Sequence, residues 1–277
     1  MIEEVLALAG RSLKKWSRNP FALIAAALQG IFWLALFGNS FNPAGALSNS
    51  SNGGSLGVFQ QAFGGATNYI TFLTPGVISI VALTSMSFMG VDLVLDKING
   101  YVGVISTYPI RRSSIFFGGV LQNIAKSMMT AMITFLLALA VPNGLRLAQG
   151  FNLVDLLGVF AIIALLAAVF STLFTGIAIS VKSTDSFFGA VNFLTFPIMF
   201  TSTAFFPVSF FPGWLKAVAE VNPVSMASEA CRFLLVNGSV QGTELSVFIE
   251  DIAGLAMFAI LFAALGTLLA RNALKAK

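Results

Sequence analysis

Between Arg18 and Asp92 the chain carries no charged residue, and between Ser113 and Val141 it carries only Lys126. Charge-free stretches of this length do not fit a soluble domain, in which about a quarter of the residues are charged. Here 9% are charged and 57% are hydrophobic, and the mean hydropathy is +0.90. Apolar runs of roughly 18 residues or more have the length of helices that cross a hydrocarbon core about 30 Å thick. Residues 1–277 are therefore expected to form a single all-α integral membrane domain, with too little polar sequence for a second, soluble one.

The same composition excludes several kinds of function. The chain has no His and one Cys, so His-based metal binding, His acid–base chemistry and an intramolecular disulfide are ruled out. The net charge of +4 lies mostly beside the ends of apolar runs rather than on one face of a soluble fold, so no nucleic-acid partner is expected. No G-x-x-x-x-G-K-[ST] phosphate loop occurs, so the chain does not cradle ATP by that route. Ala44-Gly45-Ala46 resembles a signal-peptidase site. The leading polar segment and the apolar run to Phe37 are too long for a signal peptide, so the first span is expected to remain.

Read along the chain, residues 1–19 suggest an amphipathic interfacial helix, in which Val5, Leu8, Leu13 and Trp16 alternate with Arg11, Lys14, Lys15 and Arg18. Six transmembrane helices are expected: Phe21–Phe37, Tyr69–Val91, Ser113–Val141, Leu153–Val181, Ser186–Thr203 and Val247–Ala270. Pro75-Gly76 should bend or break the second near its outer end. Pro142-Asn143-Gly144 marks a turn, and Ser183 or Asp185 is placed to cap the fifth span. Residues 204–240 are apolar but interrupted by Pro207, Pro212, Gly213, Asn222 and Pro223. Such a segment suits an external re-entrant hairpin, whose backbone is satisfied by protein or water.

With six spans both termini share one side. Eleven Lys and Arg fall on that side, while Arg146, Lys216 and Arg232 fall on the other. The positive-inside rule then makes both termini cytoplasmic, along with the charged island 92–112. Within the third span, Gln122, Asn123, Lys126, Ser127, Thr130 and Thr134 form a polar group, and 122, 126, 130 and 134 share one helix face. Two readings stay open for that face: a cavity lining near the cytoplasmic mouth (Gln122, Asn123, Lys126, Thr130), or interhelical hydrogen bonds with a snorkelling lysine. Near mid-membrane, Lys126 is the only clear ionisable candidate, which disfavours an ion-driven carrier.

Three motifs now carry a family resemblance. Tyr69-x-x-Phe72-Leu73-x-Pro75-Gly76 enters the second span. The island holds Asp96-Lys97, Gly100 and Thr107-x-Pro109-Ile110-Arg111-Arg112, followed by Gly118-Gly119. The last motif runs through Phe206-Pro207, Pro212-x-Trp214-Leu215, Asn222-Pro223, Glu229-Ala230-x-Arg232 and Gly238. Together, over residues 10–270, they resemble the ABC type-2 permeases, nearest to the daunorubicin-resistance-like drug and lipid exporters. The resemblance implies a transport subunit in the plasma membrane that is not itself an enzyme and has no cofactor of its own. ATP and Mg would belong to a partner ABC ATPase subunit, two copies of which would serve a permease homodimer in contact with membrane lipid. It further implies that Asp96, Lys97, Gly100, Pro109, Arg111 and Arg112 couple to the ATPase. Phe206, Pro207, Pro212, Trp214, Asn222, Pro223, Glu229 and Arg232 would form an external gate. Ile98 departs from the pattern, since an acidic residue is frequent there. The implied cargo is hydrophobic or amphipathic, a drug or lipid-like molecule. A glycan-lipid or polysaccharide exporter is the near alternative, and an ion-coupled carrier or a membrane scaffold the more distant ones.

Overall fold

A computed structural model describes residues 2–40, 63, 65–66, 68–100, 112–141, 144–147, 152–237 and 243–275. Their regular structure is helical throughout: α1 (Ile2–Ser17), α2 (Pro20–Ser40), α3 (Tyr69–Ile98), α4 (Arg112–Ala140), α5 (Leu153–Ser180), α6 (Thr184–Phe200), α7 (Gly213–Glu220), α8 (Pro223–Arg232) and α9 (Thr243–Lys275). A 3-10 turn at Val208–Phe210 precedes α7, and a π-helical turn at Phe233–Asn237 continues α8.

Five of these helices are long and apolar enough to cross a membrane: Pro20–Gly38, Tyr69–Ile98, Phe116–Ala140, Leu153–Ser180 and Leu245–Ala270. α6 has 17 residues, about 25 Å at 1.5 Å per residue, and falls just short of the length of the others. The boundaries expected from sequence hold closely for α4 and α5, and Ser183 is the cap of α6, its hydroxyl accepting from the Ser186 amide at 3.2 Å. Asn152 caps α5 in a full capping box with Asp155, which supplies acceptors for amide groups that the first helical turn leaves unpaired.

The second span departs from its expected bounds at both of its special points. α3 does not break at Pro75-Gly76; it runs unbroken for 30 residues and ends seven residues beyond Val91, so the first third of the charged island is helix. Thr74 Oγ1 and Ser79 Oγ donate to the carbonyls of Ile70 and Pro75, the local side-chain bonds by which a helix accommodates such a bend.

Burial explains why α3 can be apolar on every side. In its most apolar window 71% of residues are buried, against 17% in α2 and 11% in α9. α3 is thus the central rod, packed by α2, α4, α5, α6 and α8, while α9 lies along α5 and α1 lies on the start of α4. The long apolar faces of α2 and α9 point outward, as lipid-facing helices do. α5 and α9 meet on small residues. A Cβ at Gly176 would lie 2.8 Å from the Gly266 Cα, and a Cβ at Gly266 would overlap the Thr172 carbonyl. Such close backbone approach supplies packing in a bilayer, where no hydrophobic force drives helices together.

Gly266→Val is expected to separate α5 from α9 and cost about 1–3 kcal/mol, lowering the midpoint of thermal unfolding in detergent. Gly254→Ala meets only the flexible Met226 side chain, with its sulfur 2.7 Å away, and should lower that midpoint less.

Candidate functional site

The first and last sequence motifs prove to be two halves of one structure. Tyr69 opens α3 and its hydroxyl donates to the Phe205 carbonyl at 2.9 Å. Three residues on, the Phe72 ring lies under the guanidinium of Arg232, with Cζ 3.8 Å from the ring centroid. Arg232 Nε donates to the Phe72 carbonyl at 3.2 Å, Nη2 donates to the Thr203 carbonyl at 3.3 Å, and Nη1 pairs with Glu229 Oε1 at 2.6 Å. Pro75 lacks an N–H and its ring presses on the turn before it, so Arg232 brings donors to carbonyls beside the weakest point of α3. Gly76 completes the joint, because a Cβ there would overlap the Ala204 carbonyl. As a surface pair Glu229 and Arg232 would contribute a few tenths of a kcal/mol. With Arg232 only 4% exposed, its partners are instead required to hold a desolvated charge.

The rest of the segment 204–237 divides into a buried and an exposed part. Asn222 Oδ1 accepts from the Val224 amide at 2.9 Å and Pro223 occupies the first turn of α8, where a missing N–H costs nothing. Asn222 Nδ2 donates to the Ile198 carbonyl at 2.7 Å and to Thr201 Oγ1 at 3.0 Å, tying α8 to the end of α6. Pro207 is buried and Phe206 packs at the edge of the core. Phe205 stacks on Phe37 at 4.5 Å between centroids and tilts against Trp33, so α2 joins the same unit. Pro212 and Trp214 point outward; Trp214 is 71% exposed and shares its side of α7 with Val218 and Val221. Gly238 lies outside the described residues. Cys231 is fully buried in α8; burial pushes its thiol up to about 12, against the opposing pull of Arg232, which leaves it protonated and unreactive.

Toward the other end, the polar face of α4 is buried as its spacing predicts. Gln122, Asn123, Lys126, Thr130 and Thr134 are all nearly inaccessible. The lysine is not alone: Nζ lies 2.8 Å from Asp92 Oδ2 on α3. Sequence reasoning assigned Asp92 to a cytoplasmic loop; the extra helical turns of α3 instead place it opposite Lys126. Asn123 Nδ2 faces Thr175 Oγ1 on α5 at 3.4 Å, and Thr130 Oγ1 faces Ser85 Oγ on α3 at 3.3 Å. Of the four residues proposed to line a cavity, Thr130 lines one of about 720 Å³ beside α2, together with Asp92 of α3; Gln122, Asn123 and Lys126 are buried in the helix interface.

The end of α3 is held by two further polar contacts. Arg11 Nη1 on α1 lies 3.5 Å from Asp96 Oδ2. Lys97 Nζ donates to the carbonyls of Ile179 and Val181 at 2.5 and 2.7 Å, a cation placed on the unpaired carbonyls that end α5. Asn99 closes the helix and Gly100 follows with φ +76°, a left-handed backbone that glycine adopts without penalty. Pro109 and Arg111 lie outside the described residues, and Arg112 begins α4. No group of three or more His, Cys, Asp or Glu able to hold a metal occurs among the described residues.

The profile of the ABC-2 type transporter family matches residues 3–236. The chain belongs to that family. It is 28% identical over 283 residues to ycf38 of Porphyra purpurea, named as a transport permease, an alignment covering 100% of this chain and 90% of that one. It is 24% identical over 183 residues to the daunorubicin resistance permease DrrB1 of Streptomyces coeruleorubidus, covering 64% and 63%. It is 22% identical over 239 residues to DrrC of Mycobacterium tuberculosis, named for doxorubicin resistance, covering 86% and 79%. The molecule is therefore a multi-pass membrane permease of an ABC transporter.

The Lys126–Asp92 pair should respond asymmetrically to its two deletions. Asp92→Asn strands a fully buried ammonium, whereas Lys126→Met leaves a carboxylate that is 36% exposed. Asp92→Asn is expected to reduce folded yield and thermal midpoint more, with the double variant recovering much of the loss. Arg232→Lys should fail to restore what Arg232→Met loses, because an ammonium cannot serve two carbonyls, a carboxylate and a ring face at once; detergent-solubilised yield and thermal unfolding measure both.

Proposed function

We propose that this permease is the membrane half of an exporter driven by a separate ABC ATPase, moving a hydrophobic or amphipathic molecule outward across the plasma membrane. In this reading α6 is the sixth span, α1 lies in the cytoplasmic interface, and both termini are cytoplasmic. Residues 204–240 form an external re-entrant hairpin. Two copies of the permease enclose the path and two ATPase subunits bind ATP and Mg. The observation that carries the reading is the continuity of α3. One unbroken helix of 30 residues, about 45 Å long, begins in the joint with Arg232 and ends at Ile98, inside the charged island 92–112. A push on the island reaches the outer hairpin through a rod, with little compliance between them.

The ties at the inner end give that push a direction. Asp96 to Arg11, Lys97 to the end of α5, and Asp92 to Lys126 join α3 to three different helices. Movement of the island by ATP binding in the partner would thus turn α1, α3, α4 and α5 together. The same pairing balances the charge of Lys126, which suits an energy source outside this chain. Apolar walls beside the path suit amphipathic cargo such as the drugs for which DrrB1 and DrrC are named.

Co-expression with a candidate ABC ATPase, purification on the permease and drug uptake into inverted vesicles test this reading. The ATPase is expected to copurify and uptake to require ATP. Lys97→Met should keep the ATPase bound yet lower the amount transported per ATP hydrolysed by severalfold. A permease that recruits no ATPase, or a Lys97→Met variant with unchanged coupling, would overturn it.

A further inference from the structure

The cavity beside α2 carries a positive charge that nothing in the described chain balances. It opens between the end of α1 and helices α2, α3 and α4, and its volume of about 720 Å³ lies within the roughly 300–1,000 Å³ of small-molecule sites. Lys15, Trp16 and Asn19 stand at one end and Phe32 at the other, with Ala22, Ala25 and Ala26 forming a low wall between. From Asn19 to Phe32 α2 rises about 20 Å, somewhat more than half of a hydrocarbon core about 30 Å thick. The cavity is thus a slot about one leaflet deep, charged at its head and mainly apolar along its length, where Gln29, Ser85 and Thr130 are the polar exceptions.

Two charged residues line it, Lys15 and Asp92. Asp92 is paired with the buried Lys126 at 2.8 Å, so that couple is neutral as a whole. Lys15 has no ion-pair partner among the described residues, and the exposed Lys14 and Arg18 add to the potential around it. Asn19 Oδ1 accepts from the Phe21 and Ala22 amides at 3.1 and 3.4 Å, which leaves its Nδ2 as a donor beside the positive end of α2. A cationic amphiphile would meet net repulsion at this head, and a neutral one would leave Lys15 unanswered. We propose that the slot binds one anionic phospholipid, its phosphate on Lys15 and Asn19 and an acyl chain along α2 toward Phe32. This deepens the export reading by naming a ligand class, and rests on it for placing the slot in the cytoplasmic leaflet.

Trp16 lies in the slot and reports on it directly. In a W33F/W214F background it is the sole Trp of the chain, and its fluorescence in detergent micelles can be titrated with phosphatidylglycerol or phosphatidylcholine bearing brominated acyl chains. Phosphatidylglycerol is expected to quench saturably and at lower concentration than phosphatidylcholine. Lys15→Gln should weaken the phosphatidylglycerol curve roughly fivefold, the worth of one cation near a headgroup, and Lys14→Gln should shift it less. Ala25→Phe, which fills the slot, should abolish saturation while the size-exclusion profile stays unchanged. Equal quenching by the two lipids, a preference that survives Lys15→Gln, or no quenching because a second copy covers the slot would overturn the proposal. The assay needs no ATPase, so the two readings fail separately. Saturable lipid preference without ATPase recruitment overturns export alone, and ATP-driven uptake with a lipid-indifferent Trp16 overturns the slot alone.

Discussion

A guanidinium buried among helices is the constraint on which the half of this permease around the start of α3 depends. Desolvating such a charge costs several kcal/mol before any partner is counted, and Arg232 recovers that cost only if four groups converge on it. The Phe72 ring and carbonyl come from α3, the Thr203 carbonyl from the turn after α6, and the Glu229 carboxylate from α8 itself. They come from three separate parts of the chain, so the charge fixes their relative positions more tightly than apolar packing would. The Tyr69 hydroxyl and the glycine at 76 then seat the 204–205 backbone against α3. The proline in α3 is tolerated here because side chains reach the carbonyls around it, the general condition for irregular backbone at membrane depth.

The half around the end of α3 is organised by the opposite device, several weaker polar ties rather than one demanding charge. Lys97 answers the carbonyls at the end of α5, Arg11 answers Asp96, and Lys126 answers Asp92. The Arg11–Asp96 contact is exposed and contributes little to stability. Its consequence is geometric, since it joins α1 to the same end of α3 that leads into the island. α3 is thus clamped firmly at its N-terminal end and held by several polar contacts at its C-terminal end.

The sequence was more legible for elements than for partnerships. Hydropathy located the long helices within a few residues, because hydrocarbon thickness sets helix length independently of what packs where. The polar face of α4 followed from i, i+4 spacing alone. The end of α3 was missed because charge was taken as the sign of a loop, whereas Asp92, Asp96 and Lys97 are helical residues whose charges are satisfied by other helices. Unpaired, a run of charges at a span end does read as the membrane surface; the pairing that overrides this rule is invisible one segment at a time. The signal available was the presence of a lone lysine on α4, which demands a counter-ion somewhere.

What the sequence determined by itself is the class of molecule: an all-helical membrane permease with a charged island, a proline-bearing span and a broken apolar segment before the last helix. Those properties depend on local composition, period and length, which no neighbour can change. Only the tertiary structure decided that the proline-bearing span and the broken segment form one joint around Arg232, and that the charge of Lys126 is balanced by Asp92 rather than left unpaired in the membrane. Residues 160 positions apart meet there, and buried charges choose their partners by three-dimensional proximity, which sequence order does not encode.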